Sequence, residues 1–263
     1  MNLPKKSLGQ NYLIDKNIIN KITKQVVIKN KNILEIGPGT ANLTDQIIQE
    51  NPKHLILIEK DKYLFSDLKK KFNKKKNIQL FNDDFLKFDL VNNIKNHTVV
   101  FGNLPYNISS QILVKLIKNI NNLNKFDYFI LMFQKELADK IIAKFKSKNY
   151  GRLSILSSYS LDVLDKFNIS KNCFYPKPKV ESTLIVFKPK KKFKIKIHKL
   201  ENIEKITNIF FSQKRKMINK AFKKIFINYK KYAKKLDLEL SLRPSEISEE
   251  KYFKIVKEYE DLI

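Results

Sequence analysis

Short runs of β-branched and apolar residues recur along the first half of the chain, and segments with helical spacing separate them. The runs occupy residues 32–36, 54–59, 77–81, 98–103 and 128–133. Between them, apolar residues recur three or four positions apart, as at Leu43 and Ile47 or at Ile112 and Leu116. This alternation is typical of a parallel sheet with helices on both of its faces. We therefore predict an α/β fold for this part of the chain.

The pattern changes after Arg152. Runs at 163–169 and 182–188 flank the proline-bearing sequence FYPKPKV, and they predict two antiparallel strands that close the sheet. The basic stretch KPKKKFKIKIHK at 188–199 follows and indicates a domain boundary.

Beyond that boundary only helical spacing remains. The predicted helices span 201–212, 214–227, 229–237 and 249–261. Ser248 directly precedes the last of them and is a suitable N-cap residue. We therefore predict an α/β domain at 1–188 and a small all-helical domain at 189–263.

Composition excludes several classes of protein. The hydrophobic fraction of 43% is typical of a globular chain, and 263 residues suffice for a full core. The single Cys173 excludes an internal disulfide framework, and with only His54, His97 and His198 beside it we predict no metal site. No uncharged apolar run approaches the roughly 18 residues of a membrane helix, and the opening MNLPKKSLGQ lacks a signal-peptide core. We therefore expect a cytoplasmic protein with no membrane partner.

The charge of the chain is strongly positive, with a formal net charge of +27. Only three of its 53 basic residues are arginines, and the abundance of Lys, Asn and Ile is the pattern of an A/T-rich genome. That bias raises the positive charge without any selection for binding. A positive surface nevertheless attracts polyanions, so a nucleic-acid partner is compatible with the charge but needs a site to support it.

A glycine-containing turn follows the first predicted strand. Gly37 and Gly39 lie in LEIGPGTANLT, where a strand ends at Ile36 and a helix begins near Ala41. Such a turn lets backbone N–H groups approach a ligand closely. Because Asn42 stands where a dinucleotide-binding fingerprint has its third glycine, NAD is disfavoured.

Acidic residues stand at the ends of the next two predicted strands. Glu59 follows Gly39 by 20 residues, a spacing that lets its carboxylate accept from two ribose hydroxyls. Asp83 and Asp84 end the third strand, where an acid can accept from an adenine amine while Phe85 covers the ring. Acids at strand ends can also cap helices or balance lysines. The ordered set, with no Lys or Arg in GPGTAN to hold a phosphate, favours a ligand with ribose and adenine but no phosphate, and S-adenosylmethionine fits that description.

An uncharged run extends from Asn96 to Val114 and contains FGNLPYNISS. In this motif the Asn103 side-chain oxygen and the Leu104 carbonyl can accept hydrogen bonds from the exocyclic amine of a base. Pro105 fixes the turn and Tyr106 can stack on the base. Neutral acceptors of this kind suit methyl transfer to an amine beside a cationic sulfonium. An ordinary Asn-Pro type turn after a buried strand is the alternative interpretation.

Several motifs together resemble the small-subunit ribosomal RNA adenine N(6),N(6)-dimethyltransferases, the kasugamycin-sensitivity family. They occur in family order as KSLGQNYLID, EIGPGTANLT, IEKD, NDDFLKFD, FGNLPYNISS, MFQKELADKI, YGRLS, FYPKPKVEST, FFSQKRKMINKAF and RPSEIS. The resemblance covers nearly the whole chain. It implies a Rossmann-like class I S-adenosylmethionine-dependent methyltransferase domain with a helical, RNA-binding C-terminal domain.

The resemblance also assigns roles to individual residues. It implies cofactor contacts at Asn11, Leu13, Gly37, Glu59, Asp84 and Asn103, and so selects Asp84 over Asp83. It implies a catalytic loop of Asn103, Leu104, Pro105 and Tyr106, with Phe174 as a second aromatic beside the target base. Core packing in the hairpin is the other interpretation of Phe174. Lys214 stands where the family usually has the first arginine of an Arg-Arg pair. The lysine keeps the positive charge but loses the bidentate geometry with which arginine binds phosphate.

The implied function is dimethylation of two adjacent adenosines in a hairpin loop near the 3′ end of small-subunit ribosomal RNA, late in subunit assembly. The expected partner is the immature small ribosomal subunit, and we expect a monomer. A large-subunit ribosomal RNA adenine methyltransferase of the macrolide-resistance type is one alternative, which GNLPY and SQKRKMINKAF disfavour. A non-catalytic RNA-binding assembly or transcription factor is another, and Glu59, Asp84 and the NLPY loop oppose it.

Overall fold

The chain separates into two compact units in the computed structural model, which describes residues 10–120 and 125–263. The first unit contains the chain up to Ala138 together with Asp162–Pro189. The second contains Asp139–Leu161 and Lys190–Ile263.

The division differs from the predicted one, 1–188 and 189–263, at one segment. The end of the first unit at Pro189 is one residue from the predicted boundary, but Asp139–Leu161 belongs to the second unit. The reason is a set of contacts distant in sequence. The fully buried Tyr150 donates its hydroxyl hydrogen to the Ile247 carbonyl, at 3.0 Å, and Gly151 lies against the Phe211 ring.

A seven-stranded sheet forms the centre of the first unit. In the described part of the chain the strands are β1 Tyr12–Leu13, β2 Asn32–Ile36, β3 His54–Glu59, β4 Ile78–Asn82, β5 Thr98–Asn103, β6 Phe126–Gln134, β7 Leu161–Ile169, β8 Phe174–Tyr175 and β9 Ser182–Pro189. The order in the large sheet is β4-β3-β2-β5-β6-β9-β7. The first five of these are parallel to one another, and β9 runs antiparallel to β6. The α/β prediction and its central strands are therefore confirmed.

Burial along the strands follows their place in the sheet. The central β2 and β3 are buried at every position except their first residue, as expected for parallel strands covered on both faces. The edge strand β7 is exposed over most of its length and carries charged residues. Exposed charge at an edge discourages pairing with other chains.

Helices connect the strands, and aspartates begin several of them. The helices of the α/β part are α1 Lys16–Thr23, α2 Asn42–Gln49, α3 Lys62–Phe72, α4 Leu90–Asn93, α5 Ser109–Lys118 and α6 Lys135–Ile141. Asp15, Asp61 and Asp89 are the N-caps of α1, α3 and α4, and their carboxylates accept from first-turn N–H groups. This capping supplies partners for N–H groups that have none within the helix.

The second unit is helical, as predicted. Its helices from Arg152 onward are α7 Arg152–Ser160, α8 Leu200–Phe211, α9 Asn219–Ile225, α10 Tyr229–Lys235 and α11 Glu249–Glu260. The predicted helix 214–227 is shorter in the structure and begins at Asn219, because a turn that bonds Lys216 N–H to the Gln213 carbonyl precedes it. Buried aromatic rings, among them Phe210, Phe222 and Tyr252, pack edge to face in its core.

Within residues 10–120 and 125–263, no helix combines the length and the apolar sequence that crossing a bilayer requires.

The cap of α11 can be tested by substitution. Ser248 accepts from the Lys251 N–H at 3.3 Å, so the predicted N-cap is confirmed. Ser248→Ala should lower the free energy of unfolding by about 1 kcal/mol, because it leaves that N–H without its side-chain partner. Ser248→Asp should restore the loss. Urea unfolding of the three proteins measures both effects, and equal stability of the alanine variant and the wild type would contradict the capping role.

Candidate active site

A cavity of about 170 Å³ opens at the carboxyl end of the parallel strands. Its walls come from the strand β1, the turn after β2, the end of β3, and the loops after β4 and β5. The side chains and backbone that line it include Asn11, Tyr12, Gly37, Gly39, Glu59, Lys60, Asp83, Asp84, Phe85, Asn103, Leu104, Pro105 and Tyr106. Ligands bind at this edge in open α/β sheets, so the position agrees with the predicted site.

The glycine turn after β2 adopts backbone conformations that favour glycine. Gly37 has φ of 67° and Gly39 has φ of 58°. A Cβ at Gly37 would meet nothing within 4 Å, so this residue leaves open space at the cavity wall. A Cβ at Gly39 would lie 3.0 Å from the Tyr12 ring. Glycine at position 39 is therefore favoured by the backbone conformation and by the close approach of the Tyr12 ring.

Glu59 is a buried carboxylate at the end of β3, with 6% of its surface exposed. Its Oε2 accepts from the Gly39 N–H at 3.1 Å, and its Oε1 accepts from the Asp61 N–H at 2.8 Å. Burial raises the pKa of Glu59, and these backbone N–H groups oppose the rise. Each carboxylate oxygen has a second lone pair that can accept from a hydroxyl group. Glu59 therefore fixes the glycine turn to the end of β3 and keeps acceptors for a ligand.

Asp84 lies in the loop after β4 and lines the same cavity. Its Oδ2 accepts from Lys60 Nζ at 2.9 Å, and its Oδ1 accepts from the Leu86 N–H at 2.9 Å. The hydrogen bond from the Lys60 ammonium lowers the pKa of Asp84. Asp83 accepts from the Asp84 N–H at 2.7 Å, and Phe85 is buried at the cavity wall. An ionised acceptor and an aromatic ring thus lie next to each other, as an adenine ring requires.

The NLPY loop after β5 holds its amide in one orientation. Asn103 Nδ2 donates to the Asn11 carbonyl at 2.7 Å, so its Oδ1 is the end left to accept from other groups. The Tyr106 hydroxyl shares a hydrogen bond with Ser182 Oγ at 2.7 Å, which ties the ring to β9. Burial raises the pKa of Tyr106. The loop therefore presents neutral acceptors and one aromatic face.

Gly102 leaves room for the side chain of Leu104 in this loop. A Cβ at this position would lie 2.5 Å from Leu104 Cδ2 and 3.3 Å from Leu131 Cδ2. Leu104 is 2% exposed, so its side chain fills the space that a larger residue would need. The glycine immediately before NLPY is thus a packing requirement of the loop.

Comparison with known proteins identifies a family over nearly the whole chain. The family model described as ribosomal RNA adenine dimethylase matches residues 1–261. The chain belongs to the ribosomal RNA adenine dimethylase family.

Relatives in this family cover almost all of the chain. A protein of Pelagibacter ubique (strain HTCC1062), named ribosomal RNA small subunit methyltransferase A, is 50% identical over 258 residues, covering 98% of this chain and 97% of its own length. A protein of Mycoplasma mobile with the same name is 38% identical over 248 residues, covering 92% and 93%.

Solved structures establish the fold class. A dimethyladenosine transferase from Plasmodium falciparum aligns with a TM-score of 0.77 and 27% identity, over 95% of this chain and 97% of its own. The 23S rRNA methyltransferase ErmE aligns with a TM-score of 0.66 and 19% identity, over 95% and 99%, and shows likeness of fold alone. The chain has the fold of the class I S-adenosylmethionine-dependent methyltransferases.

The structure of this dimethylase-family chain brings most of the predicted site residues together, but two lie elsewhere. Leu13 and Phe174 are not among the cavity-lining residues. They pair across the antiparallel β1–β8 ribbon, are 4% and 3% exposed, and belong to the hydrophobic core of the first unit. In this structure Phe174 is a core residue, which is the second of its two interpretations. Of the opening motif at 6–15, residues 6–9 lie outside the described part of the chain.

Two polar residues of this family member, Tyr12 and Lys60, line the cavity but were not predicted as site residues. Tyr12 lines the wall, and burial together with the charges of Glu59 and Asp61 raises its pKa to about 12. Lys60 pairs with Asp84. In the sequence, Lys60 is one of many lysines, and only its position beside Glu59 distinguishes it.

A buried acid under the glycine turn was also missed. Glu35 lies in β2, is 2% exposed and accepts from Thr44 Oγ1 at 2.7 Å. Burial raises its pKa to about 8. The signal in the sequence is a charged residue in the middle of an apolar strand, NILEI.

The titration of Glu35 predicts a pH-dependent stability. Because the folded pKa of about 8 lies above the ordinary value of 4.5, the contribution of this group is fully present below pH 4.5 and is lost as the pH rises to 8. Glu35→Gln removes the titration. The stability of the wild type relative to this variant should fall between these pH values, by up to about 1.4 kcal/mol per pH unit, and then level off. Urea unfolding at pH 5 to 9 measures it, and a constant difference would contradict the burial of an ionisable Glu35.

Proposed function

We propose that this chain uses S-adenosylmethionine to dimethylate the N6 amine of adenosine in small-subunit ribosomal RNA. Family membership and the names of the two bacterial relatives support this reaction. The observation that carries the proposal is the cavity itself. It combines a buried acid, a second acid beside an aromatic ring, and an NLPY loop whose Asn103 amide is fixed by Asn11.

The residues present fit the proposed cofactor. Glu59 offers lone pairs to the two ribose hydroxyls, Asp84 accepts from the adenine amine, and Phe85 covers the ring face. Gly37 leaves room at the wall, since nothing lies within 4 Å of where its Cβ would be. Asn11 and Asn103 complete the polar lining on the NLPY side. Leu13 acts indirectly, because its carbonyl accepts from Asn42 Nδ2 at 2.7 Å beside the turn. S-adenosylmethionine supplies an electrophilic methyl group when bound.

The NLPY loop would activate the target amine. The lone pair of an adenine N6 amine is delocalised into the ring, so the amine is a poor nucleophile. Asn103 Oδ1 and the Leu104 carbonyl would accept hydrogen bonds from the two N–H groups of this amine and favour a tetrahedral nitrogen. Pro105 keeps the loop rigid, and Tyr106 stacks on the base.

The same loop would stabilise charge without acting as a base, and the surplus proton on N6 would be lost to solvent after methyl transfer. Positive charge grows on the nitrogen as the methyl group arrives, and acceptor dipoles and the Tyr106 face stabilise it. The Tyr106 hydroxyl is the one ionisable group of NLPY, and burial raises its pKa, so it stays neutral near pH 7. Its bond to Ser182 holds the ring in place during this step.

The RNA target would be two adjacent adenosines in a hairpin loop near the 3′ end of small-subunit ribosomal RNA, modified late in assembly. The chain would act as a monomer in the cytoplasm on the immature small subunit. Lysines and the helical second unit would bind RNA phosphates, while the cavity selects an adenine extruded from its surroundings. Lys214, in the turn before α9, would contribute charge to this contact.

The large-subunit alternative rests on a weaker observation. The likeness to ErmE is one of fold, at 19% identity, whereas the relative named for the small subunit reaches 50%. A non-catalytic RNA-binding role is disfavoured because the acids and the NLPY loop meet in one cavity.

Methylation mapping tests the proposal. The purified chain should form dimethyladenosine on immature small subunits and not on large-subunit RNA, read by mass spectrometry of RNA fragments. Asn103→Ala should weaken S-adenosylmethionine binding by less than about tenfold, because the ribose and adenine contacts remain, and should lose methyl transfer by about 10²–10³-fold, since one transition-state acceptor is gone. Asn73→Ala, at the exposed end of α3, is the matched control. Modification only of large-subunit RNA, or full turnover by Asn103→Ala, would contradict the proposal.

A further inference from the structure

One lysine of α5 contacts the loop that carries the adenine-side acid. This loop, which we call the acidic loop, comprises residues 83–89 and contains Asp83, Asp84 and Asp89. Lys115 Nζ donates to the Phe85 carbonyl at 2.7 Å and to the Phe88 carbonyl at 2.5 Å. It also lies 5.3 Å from the centre of the Phe85 ring. A single ammonium group therefore holds both ends of the segment Phe85–Phe88.

The acidic loop has contacts besides those of Lys115: Lys60 binds Asp84, the Phe81 ring packs against Phe88, and Asp89 caps α4. The Asp84 carbonyl accepts from the Lys87 and Phe88 N–H groups, and Asp84 Oδ1 accepts from the Leu86 N–H. These bonds form one tight turn, and the carbonyls of Phe85 and Phe88 lie at its far end. Carbonyls at the end of such a turn lack N–H partners within it, and a lysine is a suitable donor to them.

Lys115 also belongs to the element that continues the NLPY loop. Helix α5 begins at Ser109, whose Oγ donates to the Tyr106 carbonyl at 3.2 Å. Ile108 and Ile112 line the cavity, and Lys115 is on the same face because it follows Ile112 by three positions. The helix thus starts at the NLPY loop and, two turns later, binds the acidic loop through Lys115.

We propose that Lys115 is a positioning residue for the cofactor. It locks the acidic loop onto α5, and so fixes the distance between the adenine-side acceptor Asp84 and the NLPY loop. This inference rests on the proposed function, since it concerns where the cofactor adenine is held. Lys115 does not line the cavity, so it would act through Asp84 and Phe85 and not by touching the ligand.

The environment of Lys115 is consistent with a fixed ammonium. The side chain is half-buried, and burial lowers its pKa while Asp83, Asp84 and Asp89 oppose the change. Because the net shift is downward, the two carbonyl hydrogen bonds, and not the neighbouring charges, are what fix the position of the side chain.

A matched control exists in the same unit. Lys125 Nζ donates to the carbonyls of Val91 and Ile94, each at 2.9 Å, at the end of α4. It therefore makes the same kind of contact, one lysine to two carbonyls, at a loop that does not line the cavity. Lys115→Met and Lys125→Met both keep the apolar stem and remove the ammonium.

Calorimetry with S-adenosylhomocysteine tests the proposal. Lys115→Met should weaken binding by about tenfold or more, because two charge-assisted hydrogen bonds that hold the site are lost. Lys125→Met should bind within about twofold of wild type even if thermal unfolding shows a similar loss of stability. Equal affinity of wild type and Lys115→Met, or an equal loss in both variants, would overturn the proposal.

The ratio of the affinities for S-adenosylhomocysteine and S-inosylhomocysteine distinguishes the positioning role from a general effect on stability, because a loss of stability alone would not change the ratio. S-inosylhomocysteine replaces that amine by an oxygen, which cannot donate to Asp84. Wild type should prefer S-adenosylhomocysteine strongly, and Lys115→Met should lose much of that preference because Asp84 is no longer held in place. An unchanged ratio in the variant would count against the positioning role.

Further comparisons keep the test decisive. If Lys115→Met does not fold, Lys115→Gln retains one donor group and should bind with intermediate affinity, and wild-type affinity in that variant overturns the inference. If the wild type itself does not bind S-adenosylhomocysteine, it is the proposed function that fails. If the wild type binds and Lys115 substitutions have no effect, only the positioning role fails.

Discussion

The buried carboxylate of Glu59 is the contact on which the arrangement of the site depends. By accepting from the N–H groups of Gly39 and Asp61, it joins the turn after β2 to the residue that caps α3. Charge-assisted bonds to backbone N–H groups are strong in a buried setting, and an unpaired buried carboxylate would be costly. The position of the glycine turn, and with it one wall of the cavity, therefore follows from the hydrogen bonds of one buried side chain.

The cavity separates charged and neutral functions in space. Acids and Lys60 lie on the side formed by β3 and β4, whereas the NLPY side offers amide and carbonyl acceptors and the Tyr106 ring. The proposed reaction needs this separation, because a lysine near the amine would oppose methyl transfer from a cationic cofactor. The abundant lysines of the chain suit RNA binding, and their absence from the run Asn96 to Val114 suits the proposed methyl transfer.

Local sequence patterns predicted the parts of the fold that local forces determine. The bounds of β2, β3 and β5 were predicted to the residue, and Gly37, Glu59 and Asn103 were placed at strand ends that meet at one cavity. Contacts distant in sequence were not predictable in this way. They include the β1–β8 ribbon that buries Phe174, the assignment of Asp139–Leu161 to the helical unit, and the bonds of Lys115 to the acidic loop. Lys115 is one of 50 lysines, and nothing in the sequence around it indicates which carbonyls its ammonium group will contact.

The most direct test is a calorimetric titration of S-adenosylmethionine into the wild type and Glu59→Gln. We expect one molecule to bind per wild-type chain. The amide of the variant cannot accept from both N–H groups and both ribose hydroxyls, so binding should weaken by about tenfold or more in a protein that remains folded. Equal affinity in the folded variant would contradict the assignment of Glu59 to the ribose. Absence of binding to the wild type would contradict the assignment of the cavity to this cofactor.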